Sequence, residues 1–438
     1  MGGDGVSNNG YRALNGAGEV EDVLPHGNGV SLFGVTANLI TAGLGVGILS
    51  LPWAMAGASL FPSVVITILV MAINAATIMI LVSAAERYQA FDLGALLGHL
   101  PGRWGASLQV VCNIMTAASV FLCLTGILVV IADSIAPFAA PLAGIKESEL
   151  DSDETWWRLR LPLLFVGAIF ALPLCFMDQR HLSFSSSLGI AVNIYLFVVL
   201  IALLKDNGPA PECCLMGAGS GIITMFSSLM QCAVIQMCVL PMYEDMQNRT
   251  PKRFFTAVAI AFVFLAVLFA TFASAAYLLY GSTVHANVIQ DFPKDLHGTV
   301  ARVGLVLAVL AVYPLLAVSV VAPVRHWEEG QHHRTRWASR AVTVALVILS
   351  AFGGTAVSQL GPLNELNGAL QVSCFIGLAP GFAGLYLVGK ETALWRFSMY
   401  LLVLCAMIAS ASGFFYTANS VAEITASGCW WVLGAQSL

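Results

Sequence analysis

Residues 38–54 read Asn-Leu-Ile-Thr-Ala-Gly-Leu-Gly-Val-Gly-Ile-Leu-Ser-Leu-Pro-Trp-Ala, placing Gly43, Gly45, Gly47 and Pro52 inside an apolar stretch long enough to cross a bilayer. Glycine loses the most backbone freedom in a helix and proline removes an N–H donor. A helix therefore breaks here and leaves peptide groups without intrahelical partners at a depth where water cannot satisfy them. Interrupted backbone persists at that depth where it lines a cavity or holds a ligand, so the segment points to a ligand site near the bilayer midplane.

The rest of the chain supplies the membrane setting. Hydrophobic residues make up 58% and charged residues 10%, with a mean hydropathy of +0.84, far from a water-soluble domain. Apolar runs bounded by charge or turn residues predict eleven spans, at 31–56, 60–85, 107–137, 159–177, 182–204, 216–242, 254–280, 299–323, 338–359, 364–388 and 396–420. The expected fold class is an all-α polytopic membrane protein, with one membrane domain over 31–420. Residues 1–30 are rich in Gly and Asn and lack a basic leader segment, which predicts a disordered tail; 421–438 form a short C-terminal tail.

Charge sets the expected orientation. With the N-terminus in the cytoplasm, the inward segments hold 13 of the 19 basic residues, from Arg12 and Arg87 to Lys390 and Arg396. The outward ones hold 6, namely Lys146, Arg158, Arg160, Lys205, Lys294 and Arg302. That is the sense of the positive-inside rule. An odd span count then places the C-terminus on the opposite side. The ten cysteines define no disulfide framework, because Cys112, Cys123, Cys175, Cys232, Cys238, Cys374 and Cys405 lie within spans. Cys213, Cys214 and Cys429 fall outward, but a bridge among them is not expected.

A second interruption is expected in span 6, where Gly217, Gly219 and Gly221 open the segment and Leu240-Pro241-Met242-Tyr243 closes it. Paired broken helices in corresponding places are the sequence sign of an internal repeat. Five spans per repeat, an odd number, force the second copy to insert upside down, so spans 1–5 and 6–10 would form a 5+5 inverted repeat with span 11 peripheral. Two other readings of the glycines compete. Gly43 and Gly47 are spaced as a small-xxx-small helix-packing face, but Gly45 lies off that face and Pro52 follows. Gly217-Ala218-Gly219-Ser220-Gly221 has no preceding strand and no acidic ribose partner, which excludes a dinucleotide loop.

A split helix offers a zwitterion a partner for each end. Free amides around Gly45, Val46 and Gly47 carry positive partial charge toward a carboxylate, and free carbonyls at the end of the first half-helix can take an ammonium or a cation. In span 6 the polar run Ser227, Ser228, Gln231 and Gln236 marks the break, and span 3 offers Asn113, Thr116 and Ser119 on roughly one face. Interhelical hydrogen bonding is the alternative role for such residues. All eight histidines lie in the tail or loops, and Glu86, Asp133, Glu244, Asp245, Glu365 and Glu423 fall toward span ends, so no titratable pair is expected at the midplane. A site without fixed charge suits a net-neutral zwitterion. The loop histidines His326, His332 and His333 read as solvated surface, and no resident metal or cofactor is expected. No span carries paired acids, a histidine cluster or an activated nucleophile, which disfavours an enzyme.

These residues resemble the amino acid/auxin permease family. The resemblance rests on residues 38–54, on Leu240-Pro241-Met242-Tyr243-Glu244-Asp245 followed by Arg249-Thr250-Pro251-Lys252-Arg253-Phe254, and on Tyr280-Gly281 leading to Asn287-Val288-Ile289 and Phe292-Pro293. It implies a LeuT-type inverted-repeat fold with helices 1 and 6 broken, secondary transport of amino acids, and proton or sodium coupling. It places the ligand backbone at Thr41 to Gly47, hence Thr41, Ala42, Gly43, Gly45, Val46 and Gly47, and at the unwound part of span 6. Thr41 stands where sodium-coupled members often have Asn, Leu316 stands where they have Thr, and Gln236 stands where His is frequent. The coupling ion therefore stays open between H+ and Na+, with Thr41, Tyr313 and Ser319 as candidate ion contacts.

The sequence reading is a cation-coupled secondary transporter of neutral L-amino acids in the plasma membrane or a vacuolar or lysosomal membrane. Its partners are a small amino acid and the lipid bilayer, with no nucleic acid, and no oligomeric state is specified. The alternative is a membrane amino acid sensor that uses the same pocket with little transport.

Overall fold

A computed structural model describes residues 12–14, 20–22, 29–145, 153–177, 184–211, 213–217, 219–330, 337–357, 359–390, 392–419 and 428–433. Span 1 is two helices, α1 (Leu32–Gly43) and α2 (Leu51–Ala58), separated by Leu44, Gly45 and a 3-10 turn over Val46–Ser50. Then come α3 (Leu60–Tyr88), the short α4 (Leu93–Gly98), α5 (Arg103–Leu142), α6 (Asp153–Leu174) and α7 (Phe184–Asn207). Span 6 is α8 (Gly221–Ala233) and α9 (Gln236–Glu244), and α10 (Pro251–Tyr280), α11 (Leu296–Gly330) and α12 (Trp337–Thr355) follow. Span 10 starts as α13 (Leu360–Gln371), widens into π turns at Val372–Leu378 and Ala383–Leu387 on either side of α14 (Ala379–Phe382), and leads to α15 (Ala393–Asn419).

Local chemistry sets the helix ends. The Ser31, Asp92 and Thr250 side chains accept the first free amides of α1, α4 and α10, from Gly34, Ala95 and Arg253. Pro251 occupies the first turn of α10, where its missing N–H costs nothing. Gly281 ends α10 at φ 64°, a conformation that favours glycine.

Among the described residues nine helices are long and apolar enough to cross a membrane, and the pair Leu32–Gly43 and Val46–Ala58, bent by 45°, makes ten. The 22-residue α6 occupies the place of the expected fourth span. Exposed apolar side chains such as Val65, Ile68 and Leu69 on α3 and Ile260, Val263 and Val267 on α10 form the outer surface. The interior is built from contacts of α13 with α8, α11 with α5, α10 with α3, and α2 with α8. The interrupted spans are thus surrounded by other helices, as backbone with unmet hydrogen bonds requires in lipid.

Two expectations change. Most of the expected disordered tail lies outside the described residues, but within it β1 (Arg12–Leu14) and β2 (Val20–Asp22) pair antiparallel. Against the expected absence of a disulfide, Cys214 is bonded to Cys429. The two belong to β3 (Cys214–Gly217) and β4 (Cys429–Val432), which pair antiparallel and bring together cysteines 215 residues apart. No local spacing could reveal that contact. The neighbouring Cys213 stays a free thiol, and its burial raises its pKa. Ser59 ties β3 to the α2–α3 corner, its hydroxyl accepting from the Gly217 amide (3.0 Å) and donating to the Gly217 carbonyl (3.2 Å).

Candidate substrate site

The two helix interruptions meet at one cavity of about 340 Å³, within the size range of small-molecule sites. In span 1 the break falls at Leu44 (φ −88°, ψ 68°) and Gly45 (φ −96°, ψ −176°), and the Leu44 amide turns back to the carbonyls of Ile40 (3.0 Å) and Thr41 (3.1 Å). In span 6 it falls at Val234 (φ −77°, ψ 104°) and Ile235 (φ −119°, ψ 10°). Leu44, Gly45, Val46, Val234 and Ile235 all line the cavity. The half-helices that end or begin there leave amides and carbonyls without intrahelical partners. Val46 and Gly47, which open the 3-10 turn, and Thr41 and Ala42, in the last turn of α1, all border the cavity.

The three glycines do different work. A side-chain carbon at Gly45 would meet nothing within 4 Å, so this residue fronts open space. One at Gly47 would meet the Cys232 sulfur at 2.7 Å, and one at Gly43 would meet Leu265 at the same distance. Gly43 and Gly47 are thus close-packing positions, whereas Gly45 opens on the cavity, which Gly47 also borders. Thr41 and Ala42 line the cavity as well; the Thr41 hydroxyl donates to the Ala37 carbonyl (2.9 Å) and keeps its acceptor capacity.

Of the span 6 polar residues only Gln231 reaches the cavity, where its Nε2 donates to the Cys123 sulfur at 3.2 Å. Gln236 turns to the other side and donates to Asn74 Oδ1 (3.0 Å) and Thr77 Oγ1 (3.1 Å) on α3, so it joins helices rather than borders the cavity. Ser227 and Ser228 are buried along α8 outside the cavity lining. Asn113 is an exposed residue beside Gly94, and of the three polar candidates on span 3, Asn113, Thr116 and Ser119, only Ser119 lines the cavity. The ion-contact candidates also part company. Tyr313 is buried and shares a 2.7 Å hydrogen bond with Ser350, Ser319 is exposed, and neither lines the cavity. Thr41 and Leu316 do.

Gln371, Asn193 and Asn38 complete the polar lining, and sequence reasoning missed them. Gln371 Nε2 donates to Ser119 Oγ at 2.7 Å, and Asn367 Nδ2 donates to the Ser119 carbonyl (3.1 Å) and the Cys123 sulfur (3.3 Å). The recurrence of Asn364, Asn367 and Gln371 three or four residues apart on α13 was the signal that could have found Gln371.

Among the described residues no charged side chain lines the cavity. Charges are nonetheless buried elsewhere, toward the span ends where the sequence places its acids. Asp133 on α5 pairs with Arg160 on α6 at 3.1 Å and accepts from Asn287 Nδ2 at 2.9 Å, all three largely shielded. Glu365 on α13 is 0% exposed. Both lie near the end of the bundle that carries β3 and β4, since α13 begins and α5 ends there.

The cavity is one-sided. From the breaks it runs along the first half of span 1 to Asn38 and along α9 to Met242, whereas α8 contributes only its last turn, through Gln231 and Cys232, and α2 contributes nothing. Toward the β3–β4 end α2 packs directly on α8.

A family model described as transmembrane amino acid transporter protein matches residues 28–422. Amino acid transporter AVT6E of Arabidopsis thaliana is 22% identical over 408 residues, covering 88% of this chain and 82% of that protein. Sodium-coupled neutral amino acid transporter 7 of Xenopus laevis is 23% identical over 381 residues, covering 83% and 82%. Among solved structures, the inward-facing conformation of Mhp1 superposes with a TM-score of 0.57 at 13% identity over 90% of this chain and 92% of that one, which shows a shared fold.

Proposed function

The chain belongs to the transmembrane amino acid transporter family, and from that premise we propose that it is a secondary active transporter moving neutral L-amino acids across its membrane by alternating access coupled to a cation. One observation carries the substrate class: both helix interruptions open on one cavity lined by no charged side chain among the described residues. The α-carboxylate is met by the amides of the turn after Gly45 and the α-ammonium by the carbonyls that end α1, so both fixed charges of a zwitterion find partial charges of opposite sign. A third charge on the ligand would go unmet, and an unpaired buried charge costs several kcal/mol or more. Leu305, Val309, Val312 and Leu316 give the substrate side chain an apolar wall.

The topology we infer has eleven crossings, counting α6 and the interrupted spans 1 and 6 once each, with spans 1–5 and 6–10 as inverted repeats. Pairing of β3 with β4 supports an even number of crossings between residue 217 and residue 429, as the six spans from α8/α9 to α15 supply. A disulfide persists in an oxidising compartment, so Cys214–Cys429 supports a non-cytoplasmic location for that end and, with the basic residues concentrated at the other, a cytoplasmic N-terminus. The one-sided cavity then faces the cytoplasm, one of the two states that alternating access requires.

Competition for radiolabelled alanine uptake into proteoliposomes, at fixed pH and membrane potential with proton and sodium gradients imposed in turn, tests the reading. Neutral amino acids compete and lysine, arginine, aspartate and glutamate compete poorly. High-affinity uptake of glutamate or arginine would overturn the substrate class, and absence of flux under every gradient would overturn transport itself.

A further inference from the structure

Glu365 is an ionisable group that the site does not use. It sits on α13 with 0% exposure, and among the described residues its one hydrogen bond is accepted at Oε1 from Thr224 Oγ1 of α8 at 3.1 Å. Oε2 is buried without a hydrogen-bond partner. Helices α8, α5, α15 and α2, the span 1 turn and the π turn after α13 pack on α13. Their described ionisable groups are Cys232 on α8, Arg103, Cys112, Cys123 and Asp133 on α5, Cys374 on the π turn, and Arg396, Tyr400, Cys405 and Tyr416 on α15. Asp133 is engaged with Arg160, and none of these groups hydrogen-bonds or ion-pairs with Glu365. A bare carboxylate enclosed in such a place is costly, whereas a neutral acid can be enclosed there.

A polar path joins Glu365 to the cavity. Thr224, Ser227, Ser228 and Gln231 are spaced at three and four residues and form one face of α8, which spans about 10 Å at 1.5 Å per residue. Thr224 holds Glu365, and Gln231 lines the cavity. Along this face and the facing side of α13, the Ser227 and Ser228 hydroxyls, Gln231 Oε1, Asn367 Oδ1 and Gln371 Oε1 are buried without partners. Buried polar atoms in native proteins are satisfied by protein, water or ligand, so this row of hydroxyl and amide oxygens supplies partners for water admitted between the helices when the bundle opens.

We propose, resting on the transporter reading above, that Glu365 is the group that carries the coupling proton, exchanging it with the substrate cavity along the polar face of α8. The balance is one proton per cycle. The carboxylate takes a proton from water while that end of the bundle is open, which leaves a neutral acid that can be enclosed. When the cavity opens on the other side, water along α8 receives the proton and the carboxylate is restored. Glu365 lies between the cavity and the β3–β4 end, where such a carrier must sit to be reached alternately from both sides.

Proteoliposomes containing the full chain test this, with radiolabelled alanine and an entrapped pH-sensitive dye in sodium-free buffer. With one proton per amino acid, a gradient of one pH unit supports about tenfold accumulation by the wild type, and alanine addition evokes a proton flux. Glu365→Gln keeps the amide-for-acid shape and the Thr224 bond. It is expected to lose proton-driven accumulation and alanine-evoked proton flux while retaining alanine counterflow, which also shows that it folds. Thr224→Val, which leaves the carboxyl in place, is expected to displace the pH profile of accumulation and serves if Glu365→Gln does not insert. Unaltered proton flux in Glu365→Gln, an unaltered pH profile in Thr224→Val, or wild-type accumulation that follows sodium and ignores the pH gradient would overturn the proposal and leave the transporter reading standing. Absence of alanine flux under any gradient would overturn both.

Discussion

The two interrupted spans reach the same cavity by different chemistry. Span 1 breaks at a glycine inside a glycine-rich run, and the break is written in residue types that cannot sustain a helix: Gly45 is extended and faces open space, while Gly43 and Gly47 let Leu265 and Cys232 approach. Span 6 breaks at Val234–Ile235, two β-branched residues with extended-backbone preference, and neither glycine nor proline stands at the break. There the helix is held open from outside, with Gln236 anchoring the start of α9 to Asn74 and Thr77 while Gln231 ends α8 at the cavity. One interruption is intrinsic to its own backbone; the other depends on its neighbours.

The largest effect that separates the two is expected at Gly45. A Cβ there meets nothing within 4 Å and a leucine side chain would extend into the cavity where a carboxylate is proposed to sit, so Gly45→Leu is expected to abolish uptake while folded yield by fluorescence size-exclusion stays near wild type. Gly47→Leu collides with Cys232 and loses folded yield as well as flux. A well-folded Gly45→Leu protein that binds substrate normally would break the distinction.

At Gln236 the effect falls on stability. Gln236→Leu leaves Asn74 and Thr77 without their shared donor, a loss of about 1–3 kcal/mol by the cost of unsatisfied buried groups. A lower Tm with an unchanged KM is the expected outcome, and a large rise in KM at unchanged Tm would move Gln236 into the binding site.

Gln231→Ala reverses that pattern at smaller scale. Removing one hydrogen-bonding group from the cavity wall costs about 0.5–1.5 kcal/mol, which raises KM several-fold. Initial-rate measurements over a range of alanine concentrations would show it, and an unchanged KM would leave the span 6 contribution to its backbone alone. Smallest of all is Ser319→Ala: the residue is exposed and away from the cavity, so uptake and its cation dependence should not change.

What the sequence made legible follows the same division. The span 1 break, the many apolar spans of an all-helical membrane protein and the uncharged lining of the cavity could be read, because each is a local property of residue types. The span 6 break could be placed only between Ser227 and Gln236, since its position depends on which polar side chains find partners on α3 and α5. The same limit assigned Gln236 and Asn113 to the site, when one faces α3 and the other is exposed, and passed over Gln371 and Asn193, whose roles depend on helix rotation. Cys214–Cys429 and the Asp133–Arg160 pair join segments far apart in sequence, so no spacing rule reaches them. Membership of the family and the shared fold agree with the resemblance read from residues 38–54 and the two later motifs.

On the function proposed above, the two interruptions together hold an amino acid by its zwitterionic backbone. The most direct test is a cryo-electron microscopy map of the protein with a bound neutral amino acid identified by competition. The account predicts ligand density between the two breaks, with its carboxylate within hydrogen-bond reach of the amides of Val46 and Gly47 and its ammonium at the carbonyls that end α1. Density that lies away from Gly45 and Val234, or span 1 running as a continuous helix through Gly45, would contradict it.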